Sequence, residues 1–353
     1  MSTGWSARLN ATVLISSIGR RSQLTECFRR AIQGLGCEGR ILGADAAPAY
    51  APAAYLTEAA FSVPCCSDLE FIPSMLALCR RERVKLLVPT IDHELPLYAS
   101  HCREFEDIGT TVAASAPETV DLAGDKGGTN RWLAAHGFPT LAQASPEDVL
   151  ANSSRWQFPL ILKPRRGSAS IGVKKIWSLA QLESASRGEP GMVVEEFAPG
   201  QEHTINVYVN RSGKCLCAIP HRRVEVRAGE VSTGITRKHD GMIDLARRIA
   251  ERLPGAWGAL NIQCFLSEEG GMQVTEMNAR FGGGYPLAHR AGADFPSWLL
   301  REALGHPVDT KFEAWQDGLL MLRHDTAIFV TPGVTSAATP GAGRGQIPNR
   351  NEL

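Results

Sequence analysis

The stretch NIQCFLSEEGGMQVTEMNARFGGG, residues 261–284, decides how the rest of the chain is interpreted. Two runs of apolar and polar residues flank the turn SEEGG, which predicts a β-hairpin. Glu276 and Asn278 are two residues apart, so their side chains lie on the same face of one strand, and Gln263 lies on the other strand. A carboxylate and two amide oxygens form a site for a hard cation such as Mg²⁺. Taken alone, the Glu-X-Asn pattern fits an exposed polar hairpin equally well.

The residues that follow this hairpin are suited to binding anions. Arg280 continues the alternation onto the same face, where a guanidinium can hold a carboxylate or a phosphoryl group through two hydrogen bonds. The glycines at 282–284 allow backbone N–H groups to approach an anion closely. We therefore predict Arg280 as a catalytic residue and Gly283 and Gly284 as substrate contacts.

A second segment, FPLILKPRRGSASIGV at residues 158–173, predicts a strand that delivers Lys163 to a glycine-serine turn containing Ser168. A lysine in this position offsets phosphate charge, while free N–H groups of the turn cover the phosphates. The segment is not a Walker A loop, because no Gly-Lys-Ser/Thr closes it. A plain hairpin explains the segment equally well when it is considered alone.

A third segment, MVVEEFAPGQEH at residues 192–203, runs from an apolar strand into Glu195, Glu196 and Phe197, and reaches Glu202 after a Pro-Gly turn. A strand that leaves a cleft offers backbone groups to an adenine edge. A carboxylate several residues later can accept hydrogen bonds from ribose hydroxyls. An ordinary edge strand with acidic residues is the alternative.

Outside these segments, the N-terminal part has apolar strands (TVLISS, RILGA and VKLLVP) separated by helical patterns. This alternation predicts a doubly wound parallel sheet. We expect a small lobe with the glycine-serine turn, a large α+β lobe with antiparallel strands, and a Gly/Pro-rich tail. The predicted units are residues 1–115, 116–191, 192–332 and 333–353.

Composition excludes several classes of function. The chain has 353 residues, with Lys+Arg and Asp+Glu both at 37, so no net charge attracts nucleic acid or an anionic membrane. No apolar run reaches the roughly 18–20 residues needed to span a bilayer. The nine cysteines lack zinc-site spacing, which predicts reduced thiols in a cytoplasmic protein.

Taken together and in this order, the three segments resemble the ATP-grasp superfamily, with the carbamoyl-phosphate-synthase-like ligases as the nearest branch. The resemblance covers roughly residues 86–330. Two positions depart from the family pattern: Ala279 stands where many members have proline, and Gln263 where others have an acid. The resemblance implies phosphate contacts from Lys126 and Lys163, adenine and ribose contacts around Glu195 and Glu202, metal ligands at Gln263, Glu276 and Asn278, and Arg280 as the signature arginine.

The function that this resemblance implies is an ATP- and Mg²⁺-dependent ligase, with Mn²⁺ as a possible substitute. A substrate carboxylate would be activated as an acyl phosphate and joined to an amine, with release of ADP. The expected partners are a small-molecule acid and amine, and neither nucleic acid nor membrane. A homodimer is one option for assembly.

Arg223 is a candidate for binding the second substrate. In HRRVEVR, residues 221–227, alternation places Arg223, Glu225 and Arg227 on one strand face. Such a face suits a zwitterionic amino acid. It equally suits a solvated surface with ion pairs.

Polar residues also follow the N-terminal strands, where open α/β sheets bind ligands. Asp92 and Glu94 follow VKLLVP, and the Gly-Arg-Arg at 19–21 follows TVLISS. Helix capping and solvated turns are the alternative use for each of them.

Three rival functions can be compared with the ligase. A dinucleotide-dependent oxidoreductase would use Asp45, at the end of the second strand, to bind ribose. The turn SSIGRRSQ, however, lacks Gly-X-Gly-X-X-Gly. An ATP-grasp carboxylase or kinase, and a non-catalytic ATP-binding regulator, remain alternatives on the same fold.

Overall fold

The computed structural model describes residues 10–167 and 170–331. Ser168, predicted as a nucleotide contact, and the tail at 333–353 lie outside the described residues.

The first unit is a five-stranded, all-parallel sheet with strand order β3-β2-β1-β4-β5. Strands β1 and β4 are buried along their whole length, as expected where helices cover both faces of a parallel sheet. The order of connection reverses between β1 and β4, which creates a crevice at their carboxyl ends. The elements are β1 (Val13–Ser16), α1 (Ser22–Gly34), β2 (Ile41–Asp45), β3 (Ala59–Ser62), α2 (Phe71–Glu82), β4 (Leu86–Val88), α3 (Leu95–Ser100), α4 (Cys102–Asp107) and β5 (Thr111–Val112).

The second unit contains a four-stranded antiparallel sheet with strand order β6-β9-β7-β8. Its own small core includes Leu160, Leu162 and Val194. The elements are α5 (Pro117–Ala123), α6 (Lys126–Ala135), β6 (Gln143–Ala144), α7 (Pro146–Ala151), β7 (Leu160–Pro164), β8 (Lys174–Ile176), α8 (Leu179–Ser186) and β9 (Met192–Glu196).

The position of β9 differs from the prediction, which began the large lobe at residue 192. Leu162 of β7 pairs with Val194 of β9 in the small sheet, and both side chains are fully buried in the small core. The small sheet therefore extends to Glu196. An apolar strand pattern does not reveal which sheet the strand will join.

The third unit is a six-stranded antiparallel sheet with strand order β14-β13-β10-β11-β12-β15. The predicted hairpin is confirmed, since Gln263 pairs with Glu276 and Asn261 with Asn278. The elements are β10 (Gln201–Val209), β11 (Cys215–Arg227), β12 (Glu230–Thr236), α9 (Asp240–Arg252), β13 (Gly258–Leu266), β14 (Met272–Asn278), α10 (Tyr285–Arg290), α11 (Phe295–Ala303) and β15 (Leu320–Leu322).

The chain after the hairpin joins the large sheet to the parallel sheet. Ala279 is buried in the core of the parallel sheet, and the Phe281 ring packs edge-on against Phe28 of α1 at 5.8 Å between centroids. One apolar cluster includes residues of β1, α1, β10 and β13. The predicted architecture of a parallel sheet followed by a two-lobed unit is confirmed.

Two predictions from composition also have structural outcomes. No helix in the described ranges is both long and apolar enough to cross a membrane. All nine cysteines are unpaired thiols.

Candidate functional site

The hairpin β13–β14 presents three oxygen donors to a cleft between the two lobes. Gln263 and Glu276 are half-buried register partners, and neither side chain forms a hydrogen bond with another described residue. The Asn278 Nδ2 donates to Asn261 Oδ1 at 3.1 Å, and Asn261 Nδ2 donates to the Arg280 carbonyl at 3.0 Å. These bonds fix the Asn278 amide, whose Oδ1 also accepts from Arg280 Nη2 at 3.3 Å and keeps a second lone pair for a cation. The donor set of one carboxylate and two amides fits Mg²⁺.

Residues from four segments, one of them the hairpin itself, line one narrow cavity. Five of them were predicted from the sequence, and the rest come mainly from the glycine-serine turn and the strand after it. The lining comprises Lys126, Lys163, Arg223, Gln263 and Glu276, with Pro164, Gly167, Ser170, Ile171, Val173 and Gly229. The structure therefore brings Lys126, Lys163 and Arg223 together with Gln263 and Glu276, whereas Asn278 and Arg280 do not line this cavity.

Lys163 forms a buried ion pair with Glu195, on the neighbouring strand of the small sheet. Its Nζ lies 2.8 and 2.9 Å from the two carboxylate oxygens, and Gln143 Nε2 donates to the same carboxylate at 3.1 Å. Burial raises the pKa of Glu195, and the charge of Lys163 opposes that shift. The Glu195 carboxylate thus orients Lys163, a role that the sequence analysis did not assign to it.

Arg223 is the cationic residue on the opposite wall of the cleft. Its Nε lies 3.2 Å from Glu202 Oε2, and its side chain is only 8% exposed. Burial raises the pKa of Glu202, Arg223 opposes the shift, and the negative charge of Glu276 adds to it. Glu276 acts on the pKa of Glu195 in the same direction, so its carboxylate repels both Glu195 and Glu202. A bound cation would relieve this repulsion.

The predicted shared face of Arg223, Glu225 and Arg227 is formed only by Glu225 and Arg227, and it does not continue into the cleft. The pairing of β11 with β12 is irregular on both sides of Glu225, and such irregularities break the alternation of side chains. Glu225 and Arg227 pair with each other at 3.2 Å on the exposed end of the hairpin. Only Arg223 reaches the cleft.

The side chain of Glu196 faces away from the cleft. Along β9, Glu195 points to Lys163, so its neighbour Glu196 points to the opposite face, where its Oε2 accepts from Ala142 N at 3.4 Å. Phe197 is 44% exposed and lies under Lys175 Nζ, which is 3.9 Å from the ring centroid. The Glu196 side chain therefore does not contribute to the cavity that Lys163 lines.

The start of the glycine-serine turn is docked onto the N-terminus of α6. Arg165 donates to both oxygens of Asp125 at 2.6 Å, and Lys126 Nζ donates to the Gly167 carbonyl at 2.6 Å. The Arg165 hydrogen bonds lower the pKa of Asp125 to about 2. Asp125 and Arg165 are 40 residues apart, so no local sequence pattern indicates that they pair.

Arg280 is held by the N-terminal unit. Its Nε and Nη2 lie 2.7 and 2.5 Å from the two oxygens of Asp92, and Nη2 also donates to Asn278 Oδ1 at 3.3 Å. Asp92 lies in the turn after β4, at the carboxyl end of the parallel sheet. The predicted catalytic arginine is thus positioned by a carboxylate 188 residues away in sequence.

Glycine is required at two of the positions after Arg280 because a larger side chain would clash with neighbouring residues. A Cβ on Gly283 would lie 2.9 Å from Glu230 Cδ, and a Cβ on Gly284 would lie 2.6 Å from His221 Nε2. His221 is fully buried, which lowers its pKa to about 3, so the ring is neutral at pH 7. Asn206 Nδ2 donates to His221 Nδ1 at 3.2 Å, which leaves the proton on Nε2. That Nε2 has no hydrogen-bond partner among the described residues.

The carboxylate of Asp45 takes part in a turn. It accepts from the backbone N–H groups of Gly19 and Ala47, both at 3.0 Å. This arrangement stabilises the turns after β1 and β2 and gives no support to ribose binding by Asp45.

Two family models match separate parts of the chain. Residues 13–113 match the model described as "PylC-like, N-terminal domain". Residues 188–327 match the model described as "ATP-grasp in the biosynthetic pathway with Ter operon". The matched parts include β1 to β5 of the parallel sheet and all strands of the large sheet.

Curated relatives are ligases. A phosphoribosylamine–glycine ligase of Escherichia coli is 25% identical over 283 residues, which are 70% of this chain and 64% of that protein. A D-alanine–D-alanine ligase of Ralstonia pickettii is 35% identical over 123 residues, 33% of this chain and 35% of that protein. The chain thus spans less than two thirds of the length of either relative.

Solved structures share the fold at lower identity. The biotin carboxylase domain of a Hydrogenobacter thermophilus 2-oxoglutarate carboxylase superposes with a TM-score of 0.71 at 16% identity, covering 87% of this chain and 72% of that chain. N5-carboxyaminoimidazole ribonucleotide synthetase from Thermotoga maritima gives a TM-score of 0.61 at 18% identity, covering 85% of this chain and 77% of that chain.

Proposed function

Because residues 188–327 match an ATP-grasp family model and the curated relatives are ligases, we propose that the chain is an ADP-forming ATP-grasp ligase that uses ATP and Mg²⁺ to join a carboxylate to an amine. The observation that carries the proposal is the single cleft in which Lys126 and Lys163 face Gln263 and Glu276. Cationic side chains suited to phosphates and oxygen donors suited to a metal are thereby placed on opposite walls. The carbamoyl-phosphate-synthase-like branch stays a prediction.

The oxygens of Gln263, Glu276 and Asn278 would hold the metal. When bound, Mg²⁺ neutralises charge on phosphate oxygens and supports in-line transfer. Glu276 supplies the only carboxylate of this set, so the affinity for the cation depends most on that residue. The other two donors are neutral amides, and Asn261 keeps one of them in a fixed orientation.

The lysines would bind the phosphates from the small lobe. Lys163 is already oriented by Glu195, and Lys126 by the carbonyl of Gly167. Both amines keep further N–H donors available for an anion. The N–H groups at the start of the glycine-serine turn would complete the phosphate contacts.

The reaction proceeds through two displacements in this proposal. A carboxylate oxygen of the substrate attacks the γ-phosphorus of ATP, the bond to the β–γ bridging oxygen breaks, and ADP leaves. The amine nitrogen then attacks the acyl carbon, inorganic phosphate leaves, and the nitrogen loses a proton. Arg280, fixed by Asp92 beside Asn278, would offset negative charge on the transferred group and on the tetrahedral oxyanion.

Release of ADP across a panel of carboxylates and amines tests the proposal. The assay is run with Mg²⁺, and products are identified by mass spectrometry. Hydroxylamine added with ATP and the active acid should yield a hydroxamate, since it intercepts acyl phosphates. A phosphate ester without hydroxamate would identify a kinase instead.

Nucleotide choice gives an independent test. ATP with Mg²⁺ should stabilise the protein by about 2.7 kcal/mol at a concentration 100 times its Kd, because it binds only the folded state. The melting temperature should rise accordingly, while NAD leaves it unchanged. Stabilisation by NAD alone would favour the oxidoreductase, and ATP binding without ADP release on any acid would favour the regulator.

The carboxylase alternative is supported by the fold shared with a biotin carboxylase domain. Bicarbonate is then the acid, so ADP release should depend on bicarbonate and exceed the rate with every organic acid. The homodimer and the cytoplasmic location remain predictions. Light scattering of the purified chain would test the first.

A further inference from the structure

A cluster of arginines surrounds the crevice between β1 and β4, close to the glycines that follow Arg280. Arg21 Nη1 and Arg323 Nη1 lie 2.8 and 2.9 Å from the two oxygens of Glu230, so one carboxylate bridges guanidinium groups from opposite ends of the chain. Arg21 also donates to the Thr90 carbonyl at 3.2 Å. Arg323 donates to the Gly283 carbonyl. The cluster therefore adjoins the predicted substrate contacts.

The cluster has an excess of positive charge. Arg280 and Asp92 neutralise each other, which leaves Arg20, Arg21 and Arg323 around the carboxylate of Glu230. Arg20 is exposed and forms no hydrogen bond or ion pair with another described residue. The buried Glu94 carboxylate, which accepts from Ser16 and Ser17 at the end of β1, lies at the same crevice. Three guanidinium groups against two carboxylates leave an excess of one positive charge, in a chain whose formal net charge is zero.

Two of the three guanidinium groups, those of Arg21 and Arg323, are half-buried, and burial makes their positive charge energetically unfavourable. Burial and the nearby Arg280 both act to lower the pKa of Arg21. Burial acts to raise the pKa of Glu230, but Arg21, Arg323 and Arg20 outweigh it and lower that pKa. Half-buried like charges that are not fully compensated are stabilised by a bound anion. The position at the reversal of strand order is where open α/β sheets bind ligands.

Resting on the ligase function proposed above, we infer that the acid substrate carries a second anionic group and is therefore at least a dianion. Its reacting carboxylate lies at Arg280 and the glycines at 282–284, and a second anionic group, a carboxylate or a phosphate, is bound by Arg20, Arg21 and Arg323. A second group of either kind matches the planar fork of an arginine through two hydrogen bonds. A monoanionic acid would leave the excess charge uncompensated.

Calorimetric titration of the full chain with MgADP tests this inference without requiring turnover. The probes are succinate against butyrate, and 3-phosphoglycerate against glycerate, all at one ionic strength because charge interactions are screened by salt. At least one dianion should bind about 10- to 100-fold tighter than its monoanionic counterpart. Preference for succinate indicates a dicarboxylate, and preference for 3-phosphoglycerate indicates a phosphorylated acid.

Two variants make the test specific. Arg20→Gln removes the exposed guanidinium and should weaken binding of the preferred dianion about 10-fold, while the affinity for its monoanionic counterpart stays unchanged. Arg103→Gln, on an exposed face of α4, removes the same charge outside the cluster and should have no effect. Equal affinities within both probe pairs, or equal losses in both variants, would overturn the inference. Binding is measured in the presence of MgADP and does not require turnover. Tight binding of a dianion can therefore be detected even if no acid supports ADP release, so this inference and the proposed ligase reaction can fail separately.

Discussion

The hairpin β13–β14 and the crevice at the ends of β1 and β4 both bring charged groups to the same cleft, but they are assembled differently. In the hairpin, the donors Gln263 and Glu276 are register partners on two strands that a single turn connects. In the crevice, the contacts join residues 188 and 209 positions apart, namely Asp92 with Arg280 and Arg21 with Glu230. One site depends on local strand register, and the other on the docking of separate units.

This difference has a consequence for function. The hairpin donors keep their relative positions as long as the two strands pair. The groups of the crevice keep theirs only while the parallel sheet is docked on the large sheet, which the cluster around Phe28 and Phe281 stabilises. Substitutions in the hairpin should therefore affect metal binding directly. Substitutions in the crevice should affect the position of Arg280 and the acid.

The largest effect is expected for Glu276→Gln in the hairpin. The change removes the only carboxylate among the metal donors and should lower Mg²⁺-dependent ADP formation by about 10³-fold or more. The fold should be retained, because the side chain is half-buried and has no hydrogen-bond partner among the described residues. Glu268→Gln, in the exposed turn of the same hairpin, is the matched control. Full activity of Glu276→Gln with unchanged metal dependence would remove Glu276 from the site.

Asp92→Asn is the corresponding change in the crevice. It weakens the bidentate contact that positions Arg280, so kcat should fall about 10²-fold while the KM for ATP changes little. Arg280→Ala should lower the rate by about 10²–10³-fold, and adding Asp92→Asn should cost little more. His93→Asn, in the same turn, is the control. Independent, multiplying losses from the two changes would show that Asp92 acts by another route.

Gly284→Ala tests how closely the glycines pack against the large sheet. The backbone φ of Gly284 is −82°, so only space is at issue, and the added Cβ would lie 2.6 Å from His221 Nε2. The free energy of unfolding should fall by about 1–3 kcal/mol, measured by denaturant titration. Adding His221→Ala should recover part of the lost free energy of unfolding, because it removes the atom that the new Cβ would contact. Gly34→Ala, where a Cβ meets nothing within 4 Å, should be neutral or stabilising. A similar loss in both glycine variants would contradict the steric explanation.

The smallest effect is expected at the docked turn of the small lobe. Arg165 lowers the pKa of Asp125 from an ordinary 3.8 to about 2, so the ion pair stabilises docking fully above pH 4 and progressively less as the pH falls towards 2. Hydrogen exchange of the Lys126 amide, which donates to the Arg165 carbonyl at 3.0 Å, should accelerate only in that range beyond its intrinsic pH dependence. Asp125→Asn should abolish the dependence. If the Lys126 amide already lost protection from exchange at pH 5, the pH dependence would belong to a group other than Asp125.

The same difference in assembly explains which residues were predictable. Glu276, Asn278 and Gln263 lie within one hairpin, so period-two alternation and a glycine turn predicted which strand carries each of them. The pairing of Gln263 with Glu276 depends on an irregularity after Gln263, which the sequence pattern does not reveal. The interaction of Lys163 with Glu195 could not be predicted, since both residues lie on apolar strands whose pairing in a common sheet depends on how the core packs. The bulged pairing of β11 with β12 likewise broke the predicted face containing Arg223 and Arg227.

The sequence by itself determined the order of the three units, the hairpin with its oxygen donors and the arginine that follows, because these depend on local periodicity and turn chemistry. Only the tertiary structure decided that Asp92 holds Arg280, that Asp125 holds Arg165, and that Glu230 bridges Arg21 and Arg323. Ion pairs of this kind form between charges that docking brings within about 3 Å. Charges on a chain can be counted from its sequence, but which of them become neighbours depends on how the apolar faces pack.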